Sequence, residues 1–389
     1  MSVLIAGAGQ TAFGDHPSLG VKELFAGAVA DLAGTFGSAW DPERIDVAYI
    51  GSLSCGQGLQ LGNFAPALLD YAALPPVPSL HVESACASGG FALQQAIHAV
   101  ASGQYRCALA AGVEKMRDVS ADRGRYWLGI SGDTEYERLA GLTFAGIFAL
   151  MASRLLAEGA ISREDLAHVA VKNHGHAVHN PKAHLRRAVT LEQVLRAPFV
   201  AEPLGVLDCC PTSDGAACVL VCDAQTAAEL SDRPVEVIGW GASSDSLALH
   251  SRPDITRLEG ARRAADAAYR MAGCGPEDLD VAELHDCFTV AELMAYPELG
   301  LSSLAEAGKR IAGGEFSVGG RLPVNTSGGL KAKGHPIGAT GIGQIAEVFQ
   351  QIRGEADSAD RQVQDARIGM AYNMGGSGAS ATVAILKAA

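Results

Sequence analysis

The chain has 389 residues, 48% hydrophobic and 19% charged, enough to bury a substantial core in two or three structural units and too apolar for a disordered segment. A formal net charge of −13 argues against general binding to nucleic acid or an anionic membrane, so an anionic ligand must meet a local basic patch. Nine cysteines, an odd number scattered along a long chain, do not resemble a secreted disulfide framework and point to a reducing cytoplasm.

Residues 1–14 lack a basic leader, an apolar core and a small-residue cleavage site, and no uncharged apolar stretch reaches about 18 residues. Neither a secretory signal nor a membrane span is expected. The first apolar strand, 3–9, ends in paired glycines. Gly7-Ala8-Gly9-Gln10-Thr11-Ala12 formally meets a dinucleotide-loop pattern, but no acidic residue closes a second strand at the required distance, and paired glycines suit a tight strand exit equally well. Helical spacing follows over 21–35 and 91–102, with strands at 45–50 and 107–112.

From residue 117 to about 197 the rhythm breaks. A buried helix near 142–158 lies among aromatic and polar loops, and His174, His176 and His179 lack the spacing of a zinc signature, which leaves them a structural or ligand-loop role. Strand-like and turn-like sequence resumes over 206–221. Three strands then repeat earlier ones: 235–241 resembles 3–9, 279–284 resembles 45–50, and 368–373 matches 107–112. Helices are expected over 256–273, 289–300 and 337–354. Two related α/β halves follow, each a largely parallel or mixed sheet covered by helices, together a layered α/β body.

Cys86 sits in Ser84-Ala85-Cys86-Ala87-Ser88-Gly89-Gly90, a small-residue elbow at a helix start, where the helix dipole and free N–H groups favour a thiolate. An isolated cysteine there is more often a buried small hydrophobe. Its company argues otherwise: His285-Asp286-Cys287-Phe288, Gly334-His335-Pro336, and the glycine-rich Asn373-Met374-Gly375-Gly376-Ser377-Gly378. Pro336 suits the first turn of a helix and leaves His335 at its entrance, so a thiol nucleophile, a second thiol and an imidazole suggest acid/base and nucleophilic chemistry. Lys115, Arg117, Arg123 and Arg125, with Lys182, Arg186 and Arg187, form the plausible basic patch.

With Asp208-Cys209-Cys210-Pro211-Thr212-Ser213-Asp214-Gly215 and Asn325-Thr326-Ser327-Gly328-Gly329-Leu330-Lys331-Ala332-Lys333-Gly334-His335-Pro336, these motifs resemble the thiolase superfamily over essentially the whole chain, in its sterol-carrier-protein-2 thiolase-like branch. The resemblance implies duplicated α/β halves at 1–232 and 233–389 in an α/β/α/β/α body, with an inserted loop region at about 117–197 over the active site. It implies coenzyme A thioester substrates, no permanently bound cofactor or metal, a homodimer, and a small zinc-containing OB-fold partner protein as in standalone relatives. Cys86 becomes the acyl-accepting nucleophile and His335 its activating partner. Many thiolases carry a second catalytic cysteine in the glycine-rich motif, where this chain has Asn373; in the His-Asp-Cys-Phe branch Cys287 is the expected acid/base, with His285 and His335 stabilising an enolate. Backbone N–H groups of Cys86 and Gly375 are the expected oxyanion donors, and Lys115, Arg123, Arg125, Lys331 and Lys333 the substrate-binding cations. The alternatives are a related C-acyltransferase or carbon–carbon lyase using a non-CoA nucleophile, and a noncatalytic acyl-CoA-binding subunit.

Overall fold

The structure is a computed structural model and describes residues 2–53 and 62–389. In chain order the N-terminal strands are β1 (Val3–Gln10), β2 (Val47–Gly51), β3 (Ser79–Val82) and β4 (Cys107–Glu114), followed by the short hairpin β5 (Phe199–Ala201) and β6 (Leu204–Gly205), and β7 (Gly215–Asp223). The later strands are β8 (Val235–Ser244), β9 (Val281–Glu283), β10 (Ile368–Gly375) and β11 (Ser380–Ala388). The main sheet runs β3-β2-β4-β7-β1-β8-β11-β10-β9, with β1 and β8 meeting over Leu4↔Glu236 and Ile5↔Val235.

About that seam the two sides correspond strand for strand. β1, β7, β4 and β2 on one side match β8, β11, β10 and β9 on the other, and in both series the first three are antiparallel neighbours and the last two parallel. The three strand pairs whose sequences resemble each other therefore occupy equivalent positions.

The helices are α1 (Val21–Phe36), α2 (Phe64–Tyr71), α3 (Ser88–Ala101), α4 (Ala121–Leu128), α5 (Phe144–Ala157), α6 (Arg163–Ala177), α7 (Leu191–Leu195), α8 (Ala224–Leu230), α9 (Glu259–Ala272), α10 (Thr289–Glu298), α11 (Leu304–Ala312), α12 (Gly329–Lys333) and α13 (Ile337–Arg353). One core joins Leu24, Phe25 and Leu32 of α1 and Leu68 of α2 to Ile50, Leu109 and Leu220. A second lies between the two strand sets, where Leu93 and Ile97 of α3 meet Ile342 and Phe349 of α13, with Val219 and Ala384. The third packs α9 and α10 against the inserted α5, through Ala264, Leu293, Phe148 and Met151. Each fully buried Leu or Phe contributes about 1.5–3 kcal/mol, so these layers carry the fold.

The paired glycines have a packing reason. A Cβ on Gly9 would lie 2.2 Å from Leu32 N of α1, and one on Gly241 would lie 2.0 Å from Ala264 O of α9. Gly7-Ala8-Gly9 is continuous strand, and its glycines let a helix lie directly on the sheet. Gly112 does the same in the middle layer, where a Cβ would lie 2.0 Å from Gly338 O of α13.

The expected helices appear with ends shifted by a few residues, whereas α6 falls where loops were expected. It buries Lys172, Asn173 and His176 on its inward face, so the apolar spacing that marks a helix is absent. Among the described residues no helix is long and apolar enough to cross a membrane, and eight cysteines are free thiols.

Candidate active site

Cys86 lies between β3 and α3, in a turn held by short hydrogen bonds. Ser88 Oγ accepts from Ser84 N at 2.9 Å and donates to Ala85 O at 2.6 Å, while Glu83 Oε1 accepts from Ala85 N at 2.6 Å. Ala85 is thereby held at φ +50°, a left-handed conformation that costs a non-glycine residue about 1–2 kcal/mol. His285 and Cys287 follow β9, Gly376 follows β10, and His335 lies between α12 and α13. Cys86, His285 and Gly376 thus converge past the C-terminal ends of strands, the usual ligand side of a parallel α/β sheet.

The side chains meet. Cys86 Sγ and one ring nitrogen each of His285 and His335 lie within 4.8 Å of one another, and the two rings stand edge to face at 5.1 Å. A cavity of about 240 Å³ is lined by Cys86, Cys287, His335 and Gly376, with Cys209, Cys210 and Phe288.

Hydrogen-bond partners settle both imidazole tautomers. The Oδ1 of Asn373 accepts from Gly90 N at 3.2 Å, so its amide nitrogen donates to His285 Nδ1 at 3.0 Å. The proton of His285 is left on Nε2, which is buried and has no partner. For His335, the Thr340 hydroxyl donates to Pro336 O at 3.1 Å and so accepts from His335 Nδ1 at 2.7 Å, leaving an Nε2 lone pair. One ring offers a donor and the other a base, which suits a developing oxyanion beside a thiol. A cation shared with Cys86 would need a second lone pair that the His285 tautomer does not offer.

The expected thiolate is not the resting form. Cys86 is at the start of α3, yet burial pushes its thiol up to about 12, outweighing the hydrogen bond from Gly376 N–H to its sulfur. Burial lowers His335 to about 3, so the pair rests as thiol and neutral imidazole. Cys287 is likewise held as a thiol, its pKa raised by burial and by the neighbouring thiols of Cys210 and Cys86.

Further residues hold this centre in place. Asp286 accepts from Leu330 N at 2.6 Å and Lys331 N at 3.2 Å, fixing the start of α12, and from Asn173 Nδ2 of α6 at 2.6 Å. Glu114 accepts from Leu53 N and Gly338 N, both at 2.9 Å, pinning the start of α13 behind His335. The glycine turn is gripped by Arg252, whose guanidinium donates to Ser377 O at 2.7 Å and Ser377 Oγ at 3.1 Å. Gly376 lies inside the glycine-rich stretch the sequence singles out and Thr340 in the helix expected after His335; Arg252 lies in no motif, and its role depends on a tertiary contact no local pattern announces.

The expectations for Lys331, Lys333 and Gly375 are corrected. Lys331 Nζ donates to Cys209 O at 2.7 Å and Lys333 Nζ to Gly343 O at 3.0 Å, and both side chains are buried, so neither ammonium can meet a CoA phosphate. Gly375 closes β10 beside Ser84 O, which a Cβ would approach to 2.5 Å, and the N–H directed at the thiol belongs to Gly376. Lys115 and Arg125 line an outer cavity of about 370 Å³, but Lys115 is already held by Asp214 and Asp118, and Arg125 pairs with Asp122. Arg123 stacks on Trp127 at 4.9 Å. The three clustered histidines face separate partners: His174 bonds Arg187 O, His176 bonds Asn325 O, and His179 lies 3.2 Å from Asp360.

Burial lowers His174 to about 4 and His176 to about 3, and lowers His285 as well. A histidine whose folded value lies below its unfolded value of about 6.5 stabilises fully above that pH and progressively less as pH falls towards the folded value. With these three rings, and those of His335 and His184 also lowered by burial, the urea midpoint is expected to drop steadily from pH 6.5 to pH 4; a midpoint that does not move over this interval would mean the rings are not buried neutral.

Comparison with known proteins accords with this arrangement. Residues 3–225 match the family described as "Thiolase, N-terminal domain" and residues 241–388 that described as "Thiolase C-terminal domain-like". The chain is 43% identical over 387 residues to the acetyl-CoA acetyltransferase of Methanothermobacter thermautotrophicus, covering 98% of each chain. It is 32% identical over 401 residues to sterol carrier protein 2 of Rattus norvegicus, covering 97% of this chain and 70% of that one. The solved structure of the "Ltp2-ChsH2(DUF35) aldolase" superposes with a TM-score of 0.85 at 27% identity, over 100% of this chain and 98% of that one. Since both thiolase domains match in order and the acetyl-CoA acetyltransferase aligns over 98% of both chains, the chain belongs to the thiolase superfamily as a thiolase-type acyltransferase.

Proposed function

We propose that the protein catalyses reversible Claisen condensation and thiolytic cleavage of 3-oxoacyl-CoA through an acyl group carried on Cys86 Sγ. The observation that carries this reading is the meeting of Cys86, His285 and His335 within 4.8 Å, with Cys86, His335 and Cys287 lining one cavity. His335 Nε2 takes the thiol proton as sulfur adds to the carbonyl. The tetrahedral oxyanion accepts hydrogen bonds from Gly376 N–H, Cys86 N–H and His285 Nε2–H, donors fixed before the charge develops. In the cleavage direction Cys287, held as a thiol, protonates the departing enolate; in condensation its thiolate removes the α proton of the second thioester.

The physiological assembly in this reading is a cytoplasmic homodimer of two-half subunits, 1–232 and 233–389, working with a small zinc-containing OB-fold protein. The outermost strand β3, with Leu80 53% exposed, supports pairing with a second copy. The aldolase neighbour, whose name joins two components, supports a partner protein and keeps a carbon–carbon lyase as the alternative.

Free CoA separates the two reactions, because thiolysis requires it and retro-aldol cleavage does not. Acetoacetyl-CoA is expected to be consumed only when CoA is added. Cys287→Ala is expected to keep Cys86 acylation while slowing exchange of the acetyl-CoA α protons in D2O by about 10²–10⁴-fold. Consumption without CoA, or undiminished exchange in the variant, would count against the proposed roles.

A further inference from the structure

We propose that the acyl group carried on Cys86 is bulky and apolar, an aromatic or branched chain of roughly six to nine carbons, at about 30 Å³ per group of water size, and not acetyl. This rests on the acyl-Cys86 reading above and names its substrate class. The cavity holding the Cys86 thiol has a volume of about 240 Å³, whereas an apolar cavity of about 150 Å³ already accommodates a benzene ring. An acetyl group would leave most of it empty. Only the thiol end of the carrier arm enters this space, because the outer cavity of about 370 Å³ adjoins it through Met116, Arg125, Leu128, Thr212 and Ile337 and takes the rest of the arm.

The wall beyond the thiol is apolar: Leu128, Phe144, Ala145, Phe148, Val200 and Phe288. Phe148 and Phe288 stack at 4.7 Å and 26°, offering ring faces and edges against which a further ring packs well. At the border the Thr143 hydroxyl accepts from Gly146 N at 3.1 Å and Arg125 pairs with Asp122, while the Ser131 hydroxyl is buried without a partner and offers one neutral hydrogen bond. A charged acyl chain would find no counter-charge on that wall, whereas an uncharged ring or branch would replace water against carbon.

The cleavage balances without an added oxidant or reductant. Cys86 sulfur bonds C3 of the 3-oxoacyl-CoA as His335 takes its proton, and the C2–C3 bond breaks. The bulky acyl group stays on sulfur, and its electron pair leaves as the acetyl-CoA enolate, which is protonated to acetyl-CoA. The CoA thiol then attacks the acyl carbonyl, releasing the longer acyl-CoA and restoring the Cys86 thiol.

The test compares kcat/KM for CoA-dependent cleavage of 3-oxo-3-phenylpropanoyl-CoA and acetoacetyl-CoA, with intact-protein mass read in parallel. The wild type is expected to prefer the phenyl substrate at least tenfold. Ala145→Phe, on α5, would place a ring in the cavity and is expected to move that ratio at least tenfold towards acetoacetyl-CoA. Because the ratio is taken within one protein preparation, partial loss of folded enzyme cancels. A wild type that cleaves acetoacetyl-CoA as well or better, or a ratio untouched by Ala145→Phe, overturns the size assignment while leaving acyl-Cys86 standing. Failure of every acyl-CoA to add mass at Cys86 overturns the acyl-enzyme reading and the size assignment together.

Discussion

Cys86→Ser is expected to abolish acyl transfer, lowering kcat/KM by on the order of 10⁴ or more and removing the acyl mass increment on the protein. The substitution exchanges sulfur for oxygen at nearly constant shape in a turn secured by Ser88 and Glu83, so the fold is expected to survive. It removes the more polarisable nucleophile and substitutes a hydroxyl that one neutral imidazole deprotonates poorly. Because burial holds Cys86 as a thiol, with a pKa of about 12, wild-type alkylation by iodoacetamide is expected to be slow at pH 7 and still rising above pH 9. A plateau near pH 7 would show that the thiol is not held protonated, and a serine variant within tenfold of wild type would show that another group carries the acyl chain.

His335→Gln is expected to cost about 10³–10⁴-fold in the acylation rate with little change in acyl-CoA affinity, since the amide has no lone pair basic enough to take the Cys86 proton. The Thr340 contact favours a polar replacement over an apolar one, because its hydroxyl would otherwise lose a buried partner. Burial holds His335 neutral down to about pH 3, so a histidine limb near pH 6.5 is not expected in kcat/KM. The sign follows directly: a base protonates only below its own pKa, and between pH 5 and 8 this ring stays unprotonated. A clear loss of kcat/KM centred near pH 6.5, in protein shown to be folded, would place an ordinary solvated histidine on the reaction path.

Much of the fold is legible along the chain because its strands and the helices covering them obey short-range rules. The paired glycines at 7 and 9 and at 239 and 241 mark where a strand meets its helix, and the matched strands take matching places in the sheet. The convergence of Cys86, Cys287 and His335 is legible only through the resemblance of the motifs to a family, since they come from three distant loops. Protonation is not legible: position at a helix start favours a thiolate, but desolvation by the surrounding layers outweighs it, and only the folded state reveals the balance. Lys331 and Lys333 fail for a related reason. Lysines next to a glycine-rich motif suggest a phosphate, yet α12 turns both inward, where backbone carbonyls take their protons. Arg252 and α6 are invisible for the opposite reason, being polar residues used as internal scaffolding.

The division of the site along the chain has a consequence during synthesis. Cys86 emerges from the ribosome early, while His285, His335 and the Gly376 turn all come from the final third of the polypeptide. Until that portion is made and closes over it, the nascent sulfur has neither base nor oxyanion donors, and the chemistry is armed only on completion of the chain.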